Sequence, residues 1–188
     1  MDCERKVKMK TSLMLIAVLG LLAGCATKPP PPTATIYDPV TGERRDVSEN
    51  LLPSPANPPR EVVYLATYRE NKSHGSQPKY YMQVRYIAST EVGYLEIPPG
   101  QTLTILADDS PLKLDGTGSM NMRKTFKQDD IDFVSECAIY PVSRTDLQKL
   151  GYARKIKVQI KGNKGLIDRD FTQENYDNLR AFVTRAAL

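Results

Sequence analysis

Apolar and polar residues alternate through much of the second half of this chain. The cleanest case is Lys155-Ile156-Lys157-Val158-Gln159-Ile160-Lys161. With a strand's period of two, Ile156, Val158 and Ile160 fall on one side and the lysines on the other, which predicts an antiparallel strand with one wet face. Gly162-Asn163-Lys164-Gly165 then turns the chain into a second strand over 166–170. Upstream, 62–70 and 79–89 are rich in Val, Ile, Thr and Tyr and predict strands either side of a polar loop. Pro98-Pro99-Gly100-Gln101 marks a turn into a strand over 102–107, and Asp108-Asp109-Ser110 turns that into an alternating stretch over 111–115. Met120, Met122 and Phe126 suggest another strand, and 131–141 one more.

Two segments change to helical spacing. Ser143 is placed to cap a helix over 144–150, with Asp146 three residues on, Val142 and Leu147 at staple positions, and Gly151 at the C′ position. Thr172 is placed to cap a second helix over 173–187, stapled by Phe171 and Tyr176. Its buried stripe is Tyr176, Leu179, Phe182, Val183 and Ala186, with Asp177, Arg180 and Arg185 outward. Strands, helix, hairpin, helix predict an α+β domain over 61–188. Its architecture is a mainly antiparallel sheet of about six to eight strands, with one short helix and a C-terminal helix packed on the sheet.

The N-terminus has a different pattern. Arg5, Lys6, Lys8 and Lys10 precede an apolar run over 13–22, the length of a signal-peptide h-region and too short to span a bilayer. Leu22-Ala23-Gly24-Cys25 closes it. This segment resembles the lipobox signal of bacterial lipoproteins, with Met9 as a second candidate start. The resemblance implies removal of 1–24 and a diacylglyceryl group on the Cys25 sulfur. It also implies an acylated amine, carrying for example palmitate, because two or three chains are needed for stable anchoring. Ala26 follows where an Asp would favour inner-membrane retention. The expected location is therefore the cell envelope, at the outer membrane and facing the periplasm. The ending of the globular domain is similar to lipoprotein domains that carry no assigned function.

Nine of the 14 prolines lie between Pro29 and Pro59, which predicts a polyproline-rich tether over 25–60. At about 3.1 Å per residue that tether would reach roughly 110 Å from the bilayer. Within it, 36–47 has turn signals flanked by short β-prone pieces. It reads as a polar kink in the linker, or alternatively as a docking peptide that adds to a partner's sheet.

Composition narrows the chemistry. Cys3 leaves with the signal and Cys25 is lipidated, so Cys137 is the one remaining thiol and the fold must rest on its core rather than on a disulfide. Cys137 shares a strand face with Phe133 and Ile139 and reads as a buried small hydrophobe. Four bases and two acids are lost with residues 1–24, taking the formal +4 to +2, too little to argue for nucleic acid. One His, His74, and one Cys cannot make a zinc site, and no G-x-S-x-G surrounds any serine. Asp108-Asp109, Asp115 and Asp129-Asp130-Asp132 lack a calcium-loop ladder and suit turns. Neither a cofactor, a metal nor a catalytic residue is expected.

Two surfaces remain. Tyr64 and Tyr68 share one strand face and Tyr80 and Tyr86 another; exposed, they would anchor a protein partner or stack on sugars. Lys155, Lys157 and Lys161, with Lys164 nearby, form a basic stripe that would meet peptidoglycan carboxylates or lipopolysaccharide phosphates, or else is a solvated face or a blunted sheet edge. The expected function is a membrane-tethered, non-enzymatic interaction module with an envelope protein partner. The alternative is a sensor for glycan or an anionic envelope polymer, with a hydrolase a distant third.

Overall fold

The computed structural model describes residues 33–37, 44–57, 60–71 and 77–187, all within one compact unit over 31–188. Its strands are β1 (Thr33–Tyr37), β2 (Arg44–Leu52), β3 (Glu61–Asn71), β4 (Lys79–Ser89), β5 (Gly100–Ala107), β6 (Ser110–Gly116), β7 (Arg123–Gln128), β8 (Ile131–Val142), β9 (Ile156–Gly162) and β10 (Gly165–Asp170). The helices are α1 (Arg144–Tyr152) and α2 (Gln173–Phe182), and α2 runs on into a π-helical turn, Val183–Ala187. One sheet has the order β1-β2-β3-β4-β8-β7 and the other β10-β9-β5-β6, with every ladder antiparallel.

The fold class is α+β as the pattern predicts, and 61–188 holds eight described strands, within the expected six to eight; β1 and β2 precede them, and the strands divide between two sheets. A single core fills the space between the sheets. Val63, Leu65, Met82 and Val84 come from one, Leu103, Ile105, Val158 and Ile160 from the other, and Leu147, Leu179 and Phe182 from the helices.

The tether is the main correction. Residues 33–37 and 44–52, expected as linker, are the first two strands of the larger sheet, so the domain does not begin at residue 61. The docking-strand alternative comes nearer, but the sheet that β2 joins is the chain's own. Hydrophobic patterning could not reveal it, because the inward positions of β2 are Asp46, Ser48 and Asn50, with only Leu52 apolar. α2 packs over β2, and Asn175 Nδ2 donates to Leu51 O at 3.0 Å.

Both helix caps form. Ser143 Oγ accepts from Asp146 N at 3.0 Å; Thr172 Oγ1 accepts from Asn175 N while Asn175 Oδ1 accepts from Thr172 N, and Phe171 stands edge-on to Tyr176. Gly151, expected just past α1, lies inside it, where a Cβ would stand 3.0 Å from both Val183 methyl carbons. Its role is close helix packing rather than termination. Met120–Met122 is a 3₁₀ turn, and only Arg123–Gln128 is strand. Asp108, Asp109, Asp129 and Asp130 all have positive φ, from 47° to 66°. They form the two-residue loops of the β5–β6 and β7–β8 hairpins, where Asp tolerates the left-handed region and the turn follows the strand twist.

Candidate functional site

Cross-strand register sorts the tyrosines, because residues directly opposite in an antiparallel ladder share a face. Leu52-Val63-Tyr86-Glu136 and Asp46-Arg69-Tyr80-Val142 are rows on the inner face. Tyr80 and Tyr86 are therefore core residues, both buried, and the reading that put them on an interaction surface is corrected. The Tyr80 hydroxyl donates to Ala186 O at 2.9 Å. Burial, with Glu61 and Glu136 adding to it, pushes the Tyr86 phenol up to about 12. The spacing separated two tyrosine faces correctly but held no signal for which of them met the second sheet.

The outward rows are Leu51-Tyr64-Arg85-Cys137, Glu49-Ala66-Gln83-Ile139 and Val47-Tyr68-Tyr81-Pro141. This face carries Tyr64 and Tyr68 together with Tyr81. The Tyr68 and Tyr81 rings stack at 5.1 Å. The Arg85 guanidinium lies 4.4 Å over the Tyr64 ring and donates to Glu49 at 2.7 Å. Toward β7, Phe126 stacks on Phe133 at 5.5 Å. Leu51 is 51% exposed, whereas Tyr64, Tyr81, Arg85 and Ile139 are half-buried by one another. Tyr68 points to this side but is buried, stacked on Tyr81, so the expectation of an exposed Tyr68 is corrected too; burial, reinforced by Glu70, raises its phenol to about 12. The surface is thus an ordered aromatic and aliphatic patch with its cation already positioned. Cys137 shares this face with Phe133 and Ile139 as expected, but the face is the outer one and the thiol is half-buried. Burial raises its pKa, which disfavours the reactive thiolate.

The lysine stripe fares differently. Lys157 is on the outer face of the smaller sheet, in the row Pro111-Leu106-Lys157-Asp170, beside the row Lys113-Thr104-Gln159-Asp168. Its amine lies 3.0 Å from Asp168 and 4.0 Å from Asp170. The hydrogen bond to Asp168 raises the Lys157 pKa, while Gln159 and then Lys157 lower that of Asp168. Lys164 pairs with Glu96 at 3.5 Å. Lys155 precedes β9, and Lys161 is exposed near its end. β9 is an inner strand, so the stripe does not blunt an edge. Alternating acids make this a mixed-charge wet face instead of a basic one.

Two polar clusters escaped the sequence reading. Asp46 accepts from Thr35 Oγ1 at 2.8 Å, Arg69 Nη2 at 2.6 Å and Arg185 Nη2 at 3.1 Å. Burial pushes its carboxyl upward, but the bonds from Thr35, Arg69 and Arg185 together outweigh that and hold it below the usual value. Glu136, fully buried, accepts from Glu96 N at 2.9 Å, Ile97 N and the Ser119 hydroxyl, and faces Arg123 at 3.4 Å. It fastens the 95–97 and 117–119 segments to β8. Gly116 fits under Tyr140, whose ring a Cβ would meet at 2.4 Å, so the Gly-rich 116–119 stretch is packing and not a phosphate loop.

Cys25 and His74 lie outside the described residues. Among the described residues no group of three or more His, Cys, Asp or Glu is placed to hold a metal, and no helix is long and apolar enough to cross a membrane. The chain matches no protein-family model, no curated protein and no solved structure.

Proposed function

We propose that this protein is an envelope lipoprotein, anchored through Cys25, that works as a non-enzymatic protein-interaction module. The observation that carries the reading is the outward face of the larger sheet, where Tyr64, Tyr81, Arg85 and Leu51 form one patch, with the buried Tyr68 supporting the Tyr81 ring from beneath the surface. Tyrosine and arginine are the side chains that most often dominate protein interfaces. A pre-stacked set loses little rotamer freedom on binding. Less favours the polymer-sensor alternative, because Lys157, at the centre of the lysine stripe it relies on, is paired with Asp168 and Asp170, and the nearby Lys164 with Glu96.

Photo-crosslinking in cells tests this. A benzophenone amino acid at Tyr64 or Tyr81 should trap one discrete protein adduct, and the same probe at Thr104, on the outer face of the other sheet, should trap none. Equal adducts from both faces, or none from either, would overturn the assignment of the patch.

A further inference from the structure

The strands found inside the expected tether change where the domain stands. If Cys25 carries lipid, only residues 26–32 separate the anchor from β1 at Thr33. A chain spans at most about 3.3–3.6 Å per residue, so these eight steps cover no more than roughly 29 Å, against roughly 110 Å for an unstructured 36-residue tether.

β1 cannot easily be stripped away to lengthen that connection. It pairs along its whole length with β2, which lies between it and β3. Arg185, from the C-terminal turn, bonds both Thr35 on β1 and Asp46 on β2.

The direction of β1 matters as much as the distance. Thr33 lies opposite Ser48, and β1 runs antiparallel to β2. The N-terminal end of β1 therefore points to the end of the sheet where β2 closes at Leu52. The 53–60 connection, the Thr90–Val92 turn and the β7–β8 turn are at that same end.

We infer that the domain works pressed close to its membrane. The Leu52 end of the larger sheet is turned to the bilayer, and the tyrosine face looks sideways, toward a partner seated in the same membrane. This rests on the lipid-anchor reading above. The membrane-facing end is of mixed charge, with Glu91 and Asp129 exposed, Arg60 in the 53–60 connection and Asp130 paired with Lys127 at 3.2 Å, and these charged groups keep it at the surface without inserting. β3 and β4, eleven residues each, set the opposite end roughly 36 Å further out. A sheet standing in this way presents its outer face parallel to the membrane normal. A partner fixed in the same bilayer then meets it at raised effective concentration.

The test uses the full chain, expressed in a bacterium and purified from membranes in its processed form, with Cys137→Ser. It carries a single added cysteine at Ala56, in the 53–60 connection, or at Thr145, on α1 at the far end. Each variant is labelled with a donor dye and reconstituted into vesicles whose headgroups carry an acceptor, after circular dichroism shows an unchanged fold. Strong energy transfer from position 56 and little from 145 is the expected result. Inserting a long Gly/Ser segment after Lys28 should abolish the difference.

Equal transfer from 56 and 145 without the insertion, on protein whose mass shows a lipidated Cys25, overturns the orientation and leaves the anchor reading intact. A mass showing unmodified Cys25 overturns both.

Discussion

Asp46 ties three separate elements together through one side chain. Its two carboxylate oxygens accept from strand β1, from strand β3 and from the turn after α2. Its carboxyl is held below the ordinary 3.8, and the sign of the resulting linkage follows. A depressed folded-state pKa contributes stability that is complete above the unfolded value and is lost as pH falls through the folded one. Urea unfolding between about pH 5 and about pH 2 should therefore show an acid limb that Asp46→Asn flattens. An unchanged limb in that variant would mean that other carboxylates carry it. At neutral pH, Asp46→Ala leaves Arg69 facing the core side without its carboxylate and should cost about 3 kcal/mol, the low end for breaking a buried pair by removing one partner. Arg185 is half exposed and can turn to water, which is why the upper end is not expected.

At the scale of elements, α2 and β2 stabilise each other, and each offers a test. Leu179 is 2% exposed in the core, so Leu179→Ala should lower stability by about 2–5 kcal/mol, read from the shift of the denaturant midpoint. An unchanged midpoint would place the stripe of α2 outside the core. Limited trypsin digestion at native pH should spare Arg45 and Arg69, because both lie in paired strands. Rapid cleavage at Arg45 would return that segment to the status of a tether. The contrast between these elements shows what the sequence could reveal. α2 was legible because its stripe, its Thr172 cap and its Phe171–Tyr176 staple are local signals that the fold keeps, although Asn175 and Asn178 also turn inward and Val183–Ala187 continues as a π-helical turn. β9 was legible because its alternation coincides with burial. β2 was not, because its inward residues are polar and their partners, Arg69, Arg185 and the backbone of Asn178, are 23 to 139 positions away. The tyrosines fall between these cases. Period two separated Tyr64 and Tyr68 from Tyr80 and Tyr86, but which set faced water depended on where the second sheet packs, and no local spacing encodes that.

At the scale of the whole molecule, the lipoprotein proposal predicts that folding and anchoring are separable. The core joins two sheets and two helices without a disulfide, and an ion pair between Arg169 of β10 and Glu61 of β3 ties one sheet to the other. Cys25→Ser removes the sulfur that would accept the diacylglyceryl group and leaves the described contacts in place. The variant should keep its thermal midpoint while leaving the detergent-extracted membrane fraction or accumulating with its signal uncut, as read by fractionation and mass. Normal processing with retention in the membrane would refute the lipoprotein reading. The variant also separates affinity from placement. If the tyrosine face binds a partner in the same membrane, the released domain keeps its intrinsic affinity but loses the effective concentration that a short anchor supplies. Crosslinking from position 64 should then fall steeply in Cys25→Ser cells and return when the purified partner is supplied in excess. A partner captured equally well without the anchor would mean that the Tyr64 face supplies all of the selectivity by contact, with the membrane contributing only address.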